Sequence, residues 1–90
     1  MPNKMPEYTH QMALQDAIEN LTCRICFGYP SPTGVVTAEE SPKIVGDSYV
    51  SAVAIEYVGR EDIEVKTMSF PIQEVEKEVK RLLKENENAY

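Results

Sequence analysis

The stretch SYVSAVAIEYVG, Ser48 to Gly59, constrains the fold more than any other part of the chain. Val50, Ala52 and Ala54 alternate with Val53, Ile55 and Tyr57, so both sides of an extended strand here are apolar. A strand of that kind belongs in the middle of a small sheet, and the flanking segments supply its neighbours. GVVTAE, residues 34–39, reads as a first strand, and SPKIVGD, residues 41–47, as the loop after it. GRED, residues 59–62, turns the chain into IEVKTMSF, where Ile63 and Val65 alternate with Glu64 and Lys66 as in an edge strand.

Helical periodicity frames the sheet. Leu14, Ala17, Ile18, Leu21 and Ile25 fall at steps of three and four and form one stripe, with Gly28 as a left-handed cap and Pro30 just beyond it. The last element runs from SFPIQEVEKEVKRLLKEN with the stripe Ile72, Val75, Val79, Leu82 and Leu83. Ser69 is expected to cap it, and Pro71 fits a first helical turn. Glu74 and Glu76 near its start and Lys80, Arg81 and Lys84 near its end match the helix dipole. The expected fold class is therefore α+β, in the order α-β-β-β-α, with a three-stranded antiparallel sheet and two helices packed on one face. Residues 7–85 form the single domain; residues 1–6, MPNKMP, read as a tail, and residues 86–90 as a C-terminal tail.

Ninety residues suffice for one domain with a modest core. Hydrophobic residues at 42% against 27% charged describe an ordinary soluble globular chain and exclude a disordered one. No apolar run approaches a membrane span and no export signal is visible, so the expected setting is intracellular, in a reducing cytoplasm or nucleus. A formal charge of −6 repels polyanions at long range, which argues against DNA and leaves RNA binding to a local basic patch.

Cys23 and Cys26 are the only cysteines, spaced Cys-x-x-Cys. A redox pair of this spacing works at a helix N-terminus, where the dipole lowers the thiol pKa, but these lie at a helix end of the opposite sign. Structural zinc takes four ligands, and the chain adds only His10, about four helical turns away. The expectation is no metal within one chain and no cofactor. Glu39-Glu40 and Glu61-Asp62 sit in polar, turn-rich segments, and no Gly-rich phosphate loop is present, so no catalytic residues are assigned and an enzyme is not expected.

The order of elements, the Leu14-Gln15-Asp16 step in helix one, Ser41-Pro42 between the first two strands, the central strand ending at Gly59 and the closing amphipathic helix together resemble the double-stranded RNA-binding domain, over roughly Glu7 to Glu85. The resemblance implies RNA contacts from helix one, from a Gly-Pro-x-His loop and from a lysine motif opening the last helix. Here the loop reads Ser41-Pro42-Lys43-Ile44, and Ile72, Gln73 and Glu76 stand at the lysine positions. Gln15, Lys43 and Lys77 are what remains to touch RNA, so duplex RNA is expected to bind weakly or not at all. Degenerate copies of this kind look like docking or dimerisation modules in RNA-processing assemblies. The resemblance thus implies a protein partner or self-association, with Tyr8, Met12, Cys23 and Cys26 on the outer side of helix one as the interface. The alternatives are that these four pack beneath the loop from Pro30 to Pro42, that the chain is a low-affinity duplex RNA binder, or that it is a small acidic inhibitor of unrelated α+β fold whose carboxylates mimic phosphates.

Overall fold

The structure, a computed structural model, describes residues 8–28 and 34–87. The first helix, α1 (His10–Phe27), opens where Thr9 adopts an extended conformation and its hydroxyl accepts a hydrogen bond from the Met12 backbone at 3.1 Å. It closes at Gly28, whose φ of 80° is open to glycine and whose N–H donates to the Arg24 carbonyl. Four strands follow, β1 (Gly34–Ala38), β2 (Lys43–Val45), β3 (Ser48–Tyr57) and β4 (Ile63–Pro71), and then α2 (Ile72–Glu87). The class is α+β, with all strand pairs antiparallel.

The sheet holds four strands where three are expected, because Lys43–Val45 pairs with β3 instead of looping. Gly46 carries the positive φ of 61° that a two-residue turn requires at its first central position, and this folds β2 back onto Ser48–Val50. β1 and β2 lie end to end along one side of β3, with β4 along the other. Between them the register shifts from Ala38↔Val53 to Lys43↔Val50, an excess of two residues on the outer strand. Pro42, which has no N–H to donate, falls inside that excess. Two is even, so the alternation of faces survives the break.

One face of this sheet carries the core. Val36, Tyr49, Val53, Ile55 and Phe70 pack with Ala13, Ala17, Ile18 and Leu21 of α1 and with Val75 and Val79 of α2. Both helices therefore cover the same face. Ser51, also on it, is buried but satisfied, its hydroxyl donating at 3.4 Å to the Glu40 carbonyl. The α2 stripe matches the sequence pattern, but Ser69 does not cap it. Ser69 and Pro71 stay in the strand opposite Val50 and Ser48, and the helix begins one residue later at Ile72, whose N–H donates to the Asp47 carbonyl. α2 also continues to Glu87, into the segment read as a tail. The tail expected at residues 1–6 and the helix stop expected at Pro30 lie outside the described residues.

Between the helices sits a buried carboxylate. Glu78 of α2 is only 6% exposed and accepts hydrogen bonds from Asn20 at 3.2 Å and Arg24 at 3.3 Å on α1, and from Arg81 on its own helix. Burial alone would push its pKa up. The hydrogen bonds from Arg81 and Asn20 and the two guanidinium charges outweigh burial, so the carboxyl titrates below the usual range. At the end of α1, Phe27 meets the Tyr57 ring edge-on at 5.5 Å, and Arg60 lies over that ring at 5.0 Å. Gly34 makes this closure possible, since a Cβ there would stand 2.2 Å from the Phe27 ring and 2.7 Å from the Glu56 carbonyl.

Candidate protein-contact surfaces

Of the four residues expected on the outer side of α1, only Met12 is exposed, at 41%. Tyr8, Cys23 and Cys26 are half-buried against the core. The Tyr8 hydroxyl donates to Asp16 at 2.6 Å, and burial together with that bond pushes its pKa up. Burial also raises the Cys23 thiol, helped by Cys26 and Glu19 and opposed by a hydrogen bond from the Val36 backbone. The buried arc of α1 is broader than its stripe because the helix is wedged between two elements. Glu19 reaches β1, accepting the Ala38 N–H at 2.8 Å, while Asn20 and Arg24 reach Glu78 on α2. Ala13 and Thr22 are consequently buried, whereas Ile25, expected in the core, is 65% exposed in the final turn.

The residues proposed to face RNA do not share one surface. Lys43 pairs with Val50, which places it on the sheet face opposite the helices. Gln15 lies half-buried on α1, and Lys77 is exposed on α2. Among the described residues no three His, Cys, Asp or Glu side chains converge on a common point. A shallow depression between the β2–β3 turn and the start of α2 is lined by Asp47, Pro71, Ile72 and Gln73, of which only Asp47 ionises.

The surface that sequence periodicity does not single out is the outer face of the sheet. Val35 and Thr37 of β1, Val45 of β2, Val50, Ala52 and Ala54 of β3, and Ile63, Val65 and Thr67 of β4 share it by register. Val35 is 59% exposed, and Val45, Ile63 and Val65 are exposed to a similar degree. Within the strands Lys43 and Glu56 interrupt it with charge, and exposed Glu39, whose N–H donates to the Ala52 carbonyl just past β1, continues the same register. The apolar alternation of β3 is visible in the sequence, but two apolar faces suggest two covered faces, and the described residues cover only one.

β4 presents the opposite face from the one its pattern suggests. Phe70 is buried opposite Tyr49, and period-two alternation then carries Met68, Lys66 and Glu64 onto the core side and Val65 and Ile63 onto the outer side. One large ring fixes the strand. Glu64 and Lys66 at the far end of β4 keep their side chains partly exposed, 3.4 Å apart as an ion pair.

No helix among the described residues is long and apolar enough to cross a membrane. Comparison of the chain with protein-family models, curated proteins and solved structures finds no match.

Proposed function

We propose that the chain is a non-enzymatic protein-contact module, built like a degenerate double-stranded RNA-binding domain, that docks through the uncovered side of its sheet. The observation that carries this reading is the outer face itself. An apolar, β-branched surface spanning all four strands is what a binding face needs and what an isolated monomer is selected to avoid. The two helices on one face of an antiparallel sheet are the arrangement that the resemblance implies, which supports it. The scattering of Gln15, Lys43 and Lys77, and the net charge of −6, speak for protein over RNA.

A photocrosslinking side chain placed at Val35, and separately at exposed Glu76 on α2, tests the reading in the native host. Crosslinks to protein from Val35 and none from Glu76 are expected. Crosslinks from Glu76 alone, or to RNA from either position, would overturn it.

A further inference from the structure

The free side of β4 has a feature that the outer face lacks, a defined register with itself. Ile72 donates its N–H to Asp47, so the even-numbered residues of β4 turn their backbone groups toward β3. The odd-numbered residues Ile63, Val65, Thr67 and Ser69 therefore point theirs at the open edge. Among the described residues no strand pairs there. A nine-residue, unbroken edge is a template for another strand unless something blocks it. β4 has no bulge, and its one proline is the last residue.

We infer that β4 pairs antiparallel with β4 of a second copy of this chain, about a two-fold axis centred on Val65. This rests on the protein-contact reading and adds to it a second copy of the chain at the sheet edge, beside the outer face and not upon it. The choice of register follows from charge. A two-fold axis normal to the sheet keeps both core faces on one side and sets residues of equal parity opposite each other. Centred on Val65, the pairing puts Glu64 opposite Lys66 of the second copy and Lys66 opposite its Glu64. The two ion pairs within the chains thereby become one alternating cluster of four charges.

Other centres fail on the same strand. Centring on Lys66 sets Lys66 against itself, and centring on Glu64 sets two carboxylates together. Centring on Thr67 puts Glu64 opposite Phe70 and leaves no cross-strand ion pair. Like charges directly opposite destabilise a sheet, and opposite charges support it. In the Val65 register, Val65 meets Val65 and Ile63 meets Thr67 on the outer side, a β-branched pairing across the seam. Val65 is 65% exposed in the single chain. About six backbone hydrogen bonds join the two strands. The outer apolar face then continues across the seam through Ile63, Val65 and Thr67 of both copies.

The test is a charge swap read by sedimentation equilibrium over protein concentrations from about 1 μM to 1 mM, a range set by the affinities expected of a small interface. Wild type dimerises within that range. Glu64→Lys and Lys66→Glu each weaken the dimer at least about tenfold, since each sets like charges opposite one another. An equimolar mixture of the two single variants restores a dimer of near wild-type affinity. In the mixed dimer the lysine introduced at position 64 of one chain faces the glutamate introduced at position 66 of the other, and native Lys66 faces native Glu64. Val65→Pro keeps the melting temperature within a few degrees, its N–H being unused in the single chain, and abolishes association. A monomeric wild type at 1 mM, single variants that dimerise normally, or a mixture that fails to recover would each overturn the inference. A protein other than this chain crosslinked at Val35 would then leave the broader reading standing, and the absence of any crosslink would remove both.

Discussion

Replacing Glu78 with glutamine tests how the two helices are held over the sheet. The side chain is 6% exposed and gathers Asn20, Arg24 and Arg81, so the substitution removes a charge from a site built around it. A hydrogen bond to a charged group contributes roughly 1.5–3 kcal/mol. Stripping one partner from a fully buried ion pair costs about 3–5 kcal/mol. The present case lies below that range, because the Arg24 and Arg81 side chains are 46% and 45% exposed and can return to water. Glutamine also keeps one acceptor oxygen. A loss of about 2 kcal/mol follows, which for a domain of this size lowers the melting temperature by roughly 8–16 °C. Thermal unfolding by circular dichroism at pH 7 measures it. The pH profile adds a second check. Glu78 titrates below its unfolded value of 4.5, so its stabilisation is complete above that pH and is lost as pH falls through the depressed folded value. Glu78→Gln flattens that acid limb. A melting shift under about 3 °C, or an unchanged acid limb, would refute the argument that this carboxylate ties α1 to α2.

Three further outcomes follow from the packing. Thr22→Val stabilises by about 1 kcal/mol in chemical denaturation, because the buried Thr22 hydroxyl has no hydrogen-bond partner among the described residues and valine has nearly the same shape. Gly34→Ala destabilises by roughly 1–3 kcal/mol in the same measurement, since the new methyl group collides with Phe27 and with the Glu56 carbonyl. Glu19→Gln holds or raises stability at pH 7. Burial lifts the Glu19 pKa despite the Ala38 N–H, so the wild-type contribution is fully present below pH 4.5 and is lost as pH rises through the folded value, a loss that the neutral side chain avoids.

The class of the fold and most of its elements were legible in the sequence because they rest on strong periodicities. The β3 segment and the α2 stripe declare themselves residue by residue, and Gly28 marks the end of α1. What escaped depends on partners. β2 has three exposed residues and follows a proline, and only its turn at Gly46 and its pairing with β3 make it a strand. The facing of β4 is decided by Phe70, seven residues from Ile63, and local alternation gives no hint that the distant ring wins. On α1, the stripe counts apolar side chains, whereas Glu19, Asn20 and Arg24 dock the helix by hydrogen bonds to β1 and α2. That wedging draws Cys23 and Cys26 inward and leaves Met12 as the sole exposed member of the expected interface. The exposed outer face of the sheet is hidden from the sequence for a related reason. Periodicity shows which faces are apolar, but the number of covering layers depends on how many helices share a side.

Docking through the sheet buries the side of the molecule that the helices leave open, and not the helix side. Amide hydrogen exchange, compared between the isolated chain and the same chain in the assembly purified from its native host, tests it most directly. Burial of the sheet side adds protection across β1 at 35–37 and β4 at 63–69 relative to the isolated chain diluted to the monomer, with α2 unchanged. Added protection confined to α2 and the Met12 side of α1, with β4 exchanging as in the isolated chain, would contradict it.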